Sequence, residues 1–138
     1  MAVQVLIVDD HPGVTAGLVG MFSTAPDLDV CGTADSGEAG LELAASLEPD
    51  VVIMDQLMPG MGGIAATRAI KSSGLACHVL MLSGHWTAGQ VEAAKEAGAD
   101  AIELKGGHPR ELLTVIRKMT SKEHRRESGS SRPTASED

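Results

Sequence analysis

Two apolar runs, each ending on a carboxylate, constrain this chain more than any other feature. Val3, Val5, Leu6, Ile7 and Val8 lead directly into Asp9 and Asp10, and Val51, Val52, Ile53 and Met54 lead into Asp55. Continuous β-branched and aliphatic runs of this length read as strands buried on both faces, which places both acid sites at strand exits. In an open α/β sheet the carboxyl ends of neighbouring strands converge on one crevice. Three acids brought together there repel one another, by roughly 4 kcal/mol for two unit charges 4 Å apart at an effective dielectric of 20. Such a cluster must shift a pKa, hold a cation, or do both. Oxygen-only ligands favour a hard ion such as Mg²⁺.

Strand and helix signals alternate along the rest of the chain. Pro12 is placed to open a helix whose Val14, Leu18, Met21 and Phe22 share one face. Asp29 to Ala34 reads as a weaker second strand. Asp35-Ser36-Gly37-Glu38 resembles a capping box at the start of a helix through Leu41, Leu43 and Leu47, which Pro49 closes. After the third strand, a glycine-rich loop over Gly60, Gly62 and Gly63 leads into a helix from Ile64 to Lys71. His78 to Leu82 is the fourth strand, ending at Ser83. A helix over Ala88 to Ala97 stops at Gly98, Ala101 to Leu104 makes a short fifth strand ending at Lys105, and the last helix opens at Pro109. The alternation predicts an α/β fold, a doubly wound parallel five-stranded sheet of the flavodoxin-like (βα)5 kind, in one domain over residues 1–120. Periodicity does not give the order of the strands. Beyond Thr120 the apolar period is lost and Ser128 to Pro133 has linker composition, so residues 121–138 read as a flexible tail after a short helical extension.

Composition removes several function classes. The 138 residues carry a net charge of -8, and aromatic content is 1%, Phe22 and Trp86 being the sole aromatics besides histidine. Neither a phosphate-backbone binder nor a base-stacking platform fits. Residues 117–138 hold six Lys/Arg against four acids, which leaves -10 on residues 1–116. No stretch is long and apolar enough to span a membrane, and Met1 opens almost directly into a strand without a signal peptide, so a cytoplasmic protein is expected. Cys31 and Cys77 form no CxxC pair and read as reduced core residues. His11, His78, His85, His108 and His124 lack zinc-ligand spacing, and neither a P-loop nor a GxGxxG turn is present.

Asp9, Asp10, Asp55, Ser83 and Lys105 thus collect at strand ends. Taken singly, an Asp pair after a strand is commonly a turn or a cap, Ser83 a loop residue and Lys105 a solvated strand end. Together, in this order, they resemble the receiver domain of two-component response regulators over about residues 3–119. The resemblance rests on Asp9-Asp10-His11-Pro12, on Met54-Asp55 with Met58-Pro59-Gly60, on Ser83-Gly84, and on Gly98-Ala99-Asp100 to Lys105. It is nearest to the NarL/LuxR subgroup, whose members usually carry a helix-turn-helix output domain. The resemblance implies that Asp55 accepts a phosphoryl group from a histidine kinase or phosphotransfer protein. It implies Mg²⁺ on Asp10, Asp55 and the Leu57 backbone carbonyl, with Asp9 acting through water. Lys105 would pair with Asp55 and then with the phosphate, and Ser83 would donate to the phosphate. Homodimerisation on activation, and DNA binding only through an output domain outside this chain, are further implications. The domain is then a phosphoacceptor and not an enzyme in the usual sense.

Departures from the family pattern carry expectations too. Ile102 stands where the fifth strand usually has Tyr or Phe, Gly62 replaces an acid and suggests a mobile loop, and Leu57 and His85 occupy positions associated with phosphoryl lifetime. Trp86 is placed to report movement of the Ser83–Thr87 loop. Two other readings are a stand-alone module acting by protein contact or as a phosphoryl sink, and an aspartate-nucleophile phosphohydrolase. The second lacks the Asp-x-Asp alternation such enzymes show, since Asp9 and Asp10 are adjacent.

Overall fold

The computed structural model describes residues 2–128. Five strands, β1 (Val3–Val8), β2 (Leu28–Ala34), β3 (Val51–Asp55), β4 (His78–Ser83) and β5 (Ala101–Leu104), alternate with five helices. These are α1 (Pro12–Phe22), α2 (Gly37–Leu47), α3 (Gly63–Ser72), α4 (Ala88–Ala97) and α5 (Pro109–Ser128). All strand pairs are parallel, in the order β2-β1-β3-β4-β5. This is the doubly wound flavodoxin-like sheet that the alternation predicts, with β3 at its centre.

The two-residue period of the strands divides the core into two layers. Leu6, Val8, Val52, Met54, Val79 and Met81 pack against Ala44, Ala66, Ile70 and Ala94 of α2, α3 and α4. Val5, Ile7, Val51, Ile53, Leu80 and Leu82 pack against Phe22 of α1 and Ile116 of α5. Small residues set the approach of α2: a Cβ on Gly40 would stand 2.8 Å from Cγ2 of Val8. At the edge, β2 begins at Leu28 and carries a bulge, because Val5 pairs with Val30 while Leu6 pairs with Gly32.

One local reading needs correction. Ser36, not Asp35, caps α2, its hydroxyl accepting from Ala39 N–H at 3.1 Å; Glu38 therefore falls one position short of the reciprocal contact. A true capping box occurs instead on α4, between Thr87 and Gln90. Gly62 has φ 78° and ψ 161°, a region open to glycine and hardly to any other residue, so an acid at this position would strain the backbone. Next to it, a side chain on Gly63 would collide with the backbone carbonyl of Asp55, which lets α3 start hard against the end of β3. The helical extension expected beyond Thr120 is present, with α5 continuing to Ser128. Lys, Arg and Glu propagate a helix well without burial, so loss of the apolar period did not end it. The remaining ten residues of the expected tail lie outside the described residues.

The amino ends of β3 and β4 are fastened by acids whose role is structural. Asp50 Oδ2 accepts from Gln4 N–H at 2.8 Å. Asp100 Oδ2 accepts from Val79 N–H at 2.7 Å and from Lys71 Nζ at 2.7 Å, and the same ammonium donates to the Cys77 carbonyl at 2.9 Å. Burial works to raise the Asp100 pKa, but the hydrogen bonds from His78, Lys71 and Val79 win and hold it at about 2. A carboxyl with a depressed folded pKa contributes stability that is complete above its unfolded value and is lost as pH falls through the folded one. Asp100→Ala should therefore lower unfolding free energy by about 2 kcal/mol at neutral pH. Between pH ~4 and ~2 the wild type should lose stability faster than the variant, as measured by urea denaturation across that range.

Candidate functional site

Sheet hydrogen bonding continues one step past the strand ends and fixes the first loop residues. Asp9 N–H donates to the Ala34 carbonyl at 3.0 Å, Gln56 N–H to Leu82 at 2.8 Å, and Lys105 N–H to Ser83 at 2.8 Å. With Val8 level with Met54, and Asp55 level with Leu82, the carboxylates following β1 and ending β3 meet above the sheet. Asp9 and Asp55 are 4% and 2% exposed. Lys105 reaches over from beyond β5, its Nζ 3.0 Å from Asp9 Oδ2 and 3.0 Å from Asp55 Oδ1.

One ammonium against three carboxylates leaves the pocket with excess negative charge, and the protonation equilibria register it. Burial disfavours the charge on Asp9, but the His11 backbone N–H and Lys105 outweigh it and hold that carboxyl below its ordinary range. Asp55 moves the other way. Burial raises it, Lys105 opposes the rise, and the neighbouring charge of Asp9 adds to it. For Lys105, burial alone would lower the pKa, and the two carboxylates raise it overall.

His11 is the member of the site that sequence reasoning missed. Its backbone N–H donates to Asp9 Oδ1 at 2.8 Å, closing a tight Asx-type turn, and this folds the ring back over the pocket. Its Nδ1 lies 3.0 Å from Asp9 Oδ1, 3.1 Å from Asp10 Oδ1 and 3.7 Å from Asp55 Oδ2. The hydrogen bond to Asp9, then the charge of Asp10, raise its pKa. The signal was adjacency: an Asp two residues before a backbone N–H at a strand exit. Helix and metal-spacing templates for histidine do not contain that pattern.

The remaining expected residues are arranged differently. Ser83 is buried, but its hydroxyl donates to the His85 carbonyl at 2.8 Å and accepts from His85 N–H at 3.3 Å, so it is turned into its own loop. Leu57 follows β3 with an exposed side chain. Trp86 is half-buried against the core layer under α2–α4, as Ile102 is, and its indole N–H donates to the Glu103 carbonyl at 2.9 Å. The loop after β4 is thereby tied to β5.

Two buried carboxylate oxygens of the pocket, Asp10 Oδ1 and Asp55 Oδ2, have no hydrogen-bond donor. One oxygen from each of Asp9, Asp10 and Asp55, together with a His11 nitrogen, lie within 4.8 Å of one another. Unsatisfied, convergent and anionic oxygens are what a hard divalent cation such as Mg²⁺ requires, so the residues fit that ion.

Comparison with known proteins agrees with this geometry. A family model for the response regulator receiver domain matches residues 5–117. The nitrate/nitrite response regulator NarL of Escherichia coli K12 is 37% identical over 112 residues, 81% of this chain and 52% of that protein. VraR of Staphylococcus saprophyticus is 36% identical over 123 residues, 89% of this chain and 59% of that one. The chain thus spans about half the length of the curated relatives it matches. Among solved structures, a NarL signal receiver domain from Mycobacterium tuberculosis superposes with a TM-score of 0.84 at 34% identity, covering 87% of this chain and 97% of that one. A LuxR-family regulator from Aurantimonas gives 0.83 at 31% identity, covering 88% and 87%. With fold, pocket and relatives in agreement, the chain belongs to the response regulator receiver domain family of two-component systems.

Proposed function

We propose that this domain accepts a phosphoryl group on Asp55 from the phosphohistidine of a kinase or phosphotransfer protein, and that the modified domain regulates transcription through an output domain outside this sequence. The observation that carries the reading is Asp55 itself, a nearly buried carboxylate with one oxygen on Lys105 and the other without a donor. Transfer forms a bond from a carboxylate oxygen to phosphorus and breaks the phosphorus–nitrogen bond, and the departing imidazole takes up a proton. In-line phosphoryl transfer needs positioning and charge neutralisation more than covalent assistance.

Asp10, Asp55 and the Leu57 carbonyl would hold Mg²⁺, with Asp9 acting through water, and the ion would supply positive charge at the phosphoryl oxygens. The chain supplies the rest. Lys105 offsets the Asp55 charge at rest and can donate to the new phosphate without leaving its place. Ser83 must exchange His85 for a phosphate oxygen, and the loop through Trp86 moves with it. Phosphorylation adds charge and three acceptor oxygens, and this differential contact shifts the resting population toward the active one.

Docking of the donor is supported by α1, which starts directly after Asp9, Asp10 and His11 and has no charged side chain over Pro12–Phe22. Val19 on it is 37% exposed, and a cleft of about 320 Å³ runs between α1 and the loop leading to α5, past Leu18, Met21 and Leu104. Relatives longer than this chain, including the response regulators NarL and VraR, favour a regulator with a further domain over a free-standing module; a cytoplasmic location and a homodimer as the activated form belong to the same proposal.

Intact-mass measurement with acetyl phosphate and Mg²⁺ should show one added phosphoryl group, acid-stable and base-labile, and none in Asp55→Asn. Equal labelling of that variant would remove Asp55 from the role. Asp10→Ala should slow phosphorylation by about 100-fold or more, through loss of charge neutralisation. Ser83→Ala should still label but change Trp86 emission much less than the wild type does. An Asp10→Ala protein that labels normally, or a Ser83→Ala protein with a full emission change, would reverse those assignments.

A further inference from the structure

We propose that His11 is a fourth ligand of the acidic pocket, and that its nitrogen makes the pocket a site for a borderline divalent cation of the Zn²⁺ class, in competition with Mg²⁺. The proposal rests on the reading of this pocket as a cation site and extends it to which cations it admits. His11 Nδ1 stands 3.0, 3.1 and 3.7 Å from one oxygen each of Asp9, Asp10 and Asp55. Donor atoms about 2.1 Å from a shared ion are themselves separated by about 3.0 Å in an octahedron and about 3.4 Å in a tetrahedron. The separations from Asp9 and Asp10 are of that size, and the 3.7 Å from Asp55 is slightly longer. Only the contact to Asp9 is also a hydrogen bond, so the other two are left for an ion to bridge.

Two further observations point to a ligand at this place. Asp55 is 2% exposed and its Oδ2, one of the four donors, has no hydrogen-bond donor; Asp10 Oδ1, a second, also lacks one. The imidazole is held over them by its own backbone, through the 2.8 Å bond from His11 N–H to Asp9 Oδ1. The ring thus arrives at the pocket without a partner element having to deliver it.

Donor chemistry decides the class of ion. Mg²⁺ is satisfied by oxygen and gains little from imidazole, whereas Co²⁺, Ni²⁺ and Zn²⁺ bind imidazole nitrogen and carboxylate oxygen together. Scattered histidines without HxxxH spacing exclude a zinc site only if the ligands must share one helix or loop. Here three come from consecutive residues and the fourth from a strand 44 positions further on. The functional consequence follows from Asp55. Both classes of ion would use the Asp55 oxygen that Lys105 leaves free, so a Zn²⁺-class cation can occupy the pocket only by displacing Mg²⁺.

Isothermal titration of the chelator-treated full chain with Zn²⁺ and, separately, with Mg²⁺ tests the proposal in wild type, His11→Gln and Asp10→Ala, with circular dichroism as the check on folding. His11→Gln should weaken Zn²⁺ about tenfold or more while Mg²⁺ stays within about threefold, because only the first ion uses the nitrogen. Asp10→Ala should weaken both. Unchanged Zn²⁺ affinity in His11→Gln, an equal loss for both ions, or Zn²⁺ binding untouched by Asp10→Ala would each overturn the role of His11. Absence of any Mg²⁺ binding to the wild type would instead overturn the cation-site reading beneath it.

Discussion

Lys105 holds the pocket together. Its ammonium lies 3.0 Å from a carboxylate oxygen on each of two neighbouring strands' ends, and without it Asp9 Oδ2 and Asp55 would face each other buried with no ammonium between them. Removing the partner of a buried charge commonly costs about 3–5 kcal/mol. That cost explains why the lysine must be delivered so accurately. Its backbone N–H is bonded to the Ser83 carbonyl, its strand is paired to β4, and the loop after β4 is fastened to β5 by the Trp86 indole. A cation placed from β5, acids placed from β1 and β3, and a hydroxyl placed from β4 make the site a property of the whole sheet.

The opposite end of the same sheet shows what these residue types do when nothing has to react. Asp100 and Lys71 also form a close pair, yet each has further partners: Val79 N–H for the carboxylate and the Cys77 carbonyl for the ammonium. The carboxyl is held at about 2. At the carboxyl ends of the strands, burial and the adjacent charge push Asp55 upward, and oxygens of Asp10 and Asp55 are left without donors. Satisfied polar groups fasten a fold, whereas buried polar groups left short of partners mark where an ion or a new covalent group is to be accommodated.

Much of this was legible in the sequence because the strands are buried on both faces. Continuous apolar runs at Val5–Val8 and Val51–Met54 have no alternative use in a chain of this length, and acids at their exits had to converge. Helix ends written in Pro12, Gly98 and Pro109 were equally plain. What was hidden depends on contacts between segments or on backbone angles. The order of the strands, the φ of Gly62, the orientation of the Ser83 hydroxyl toward His85 and the tie between Trp86 and Glu103 leave no periodic trace. His11 is the instructive case: its ring is in the site because the Asp9 side chain takes its backbone N–H, an interaction two residues long that looks like an ordinary turn.

The central claim is that the pocket stores unfavourable charge that a cation relieves, and stability measures this directly. Urea unfolding of wild type and Asp55→Asn should be compared in chelator and in Mg²⁺ at about a hundred times its dissociation constant. In chelator, Asp55→Asn should be the more stable protein, since it has lost one of three repelling carboxylates. Mg²⁺ should raise wild-type stability by about 2.7 kcal/mol and the variant by much less. A wild type that ignores Mg²⁺ and is more stable than Asp55→Asn without it would contradict the claim.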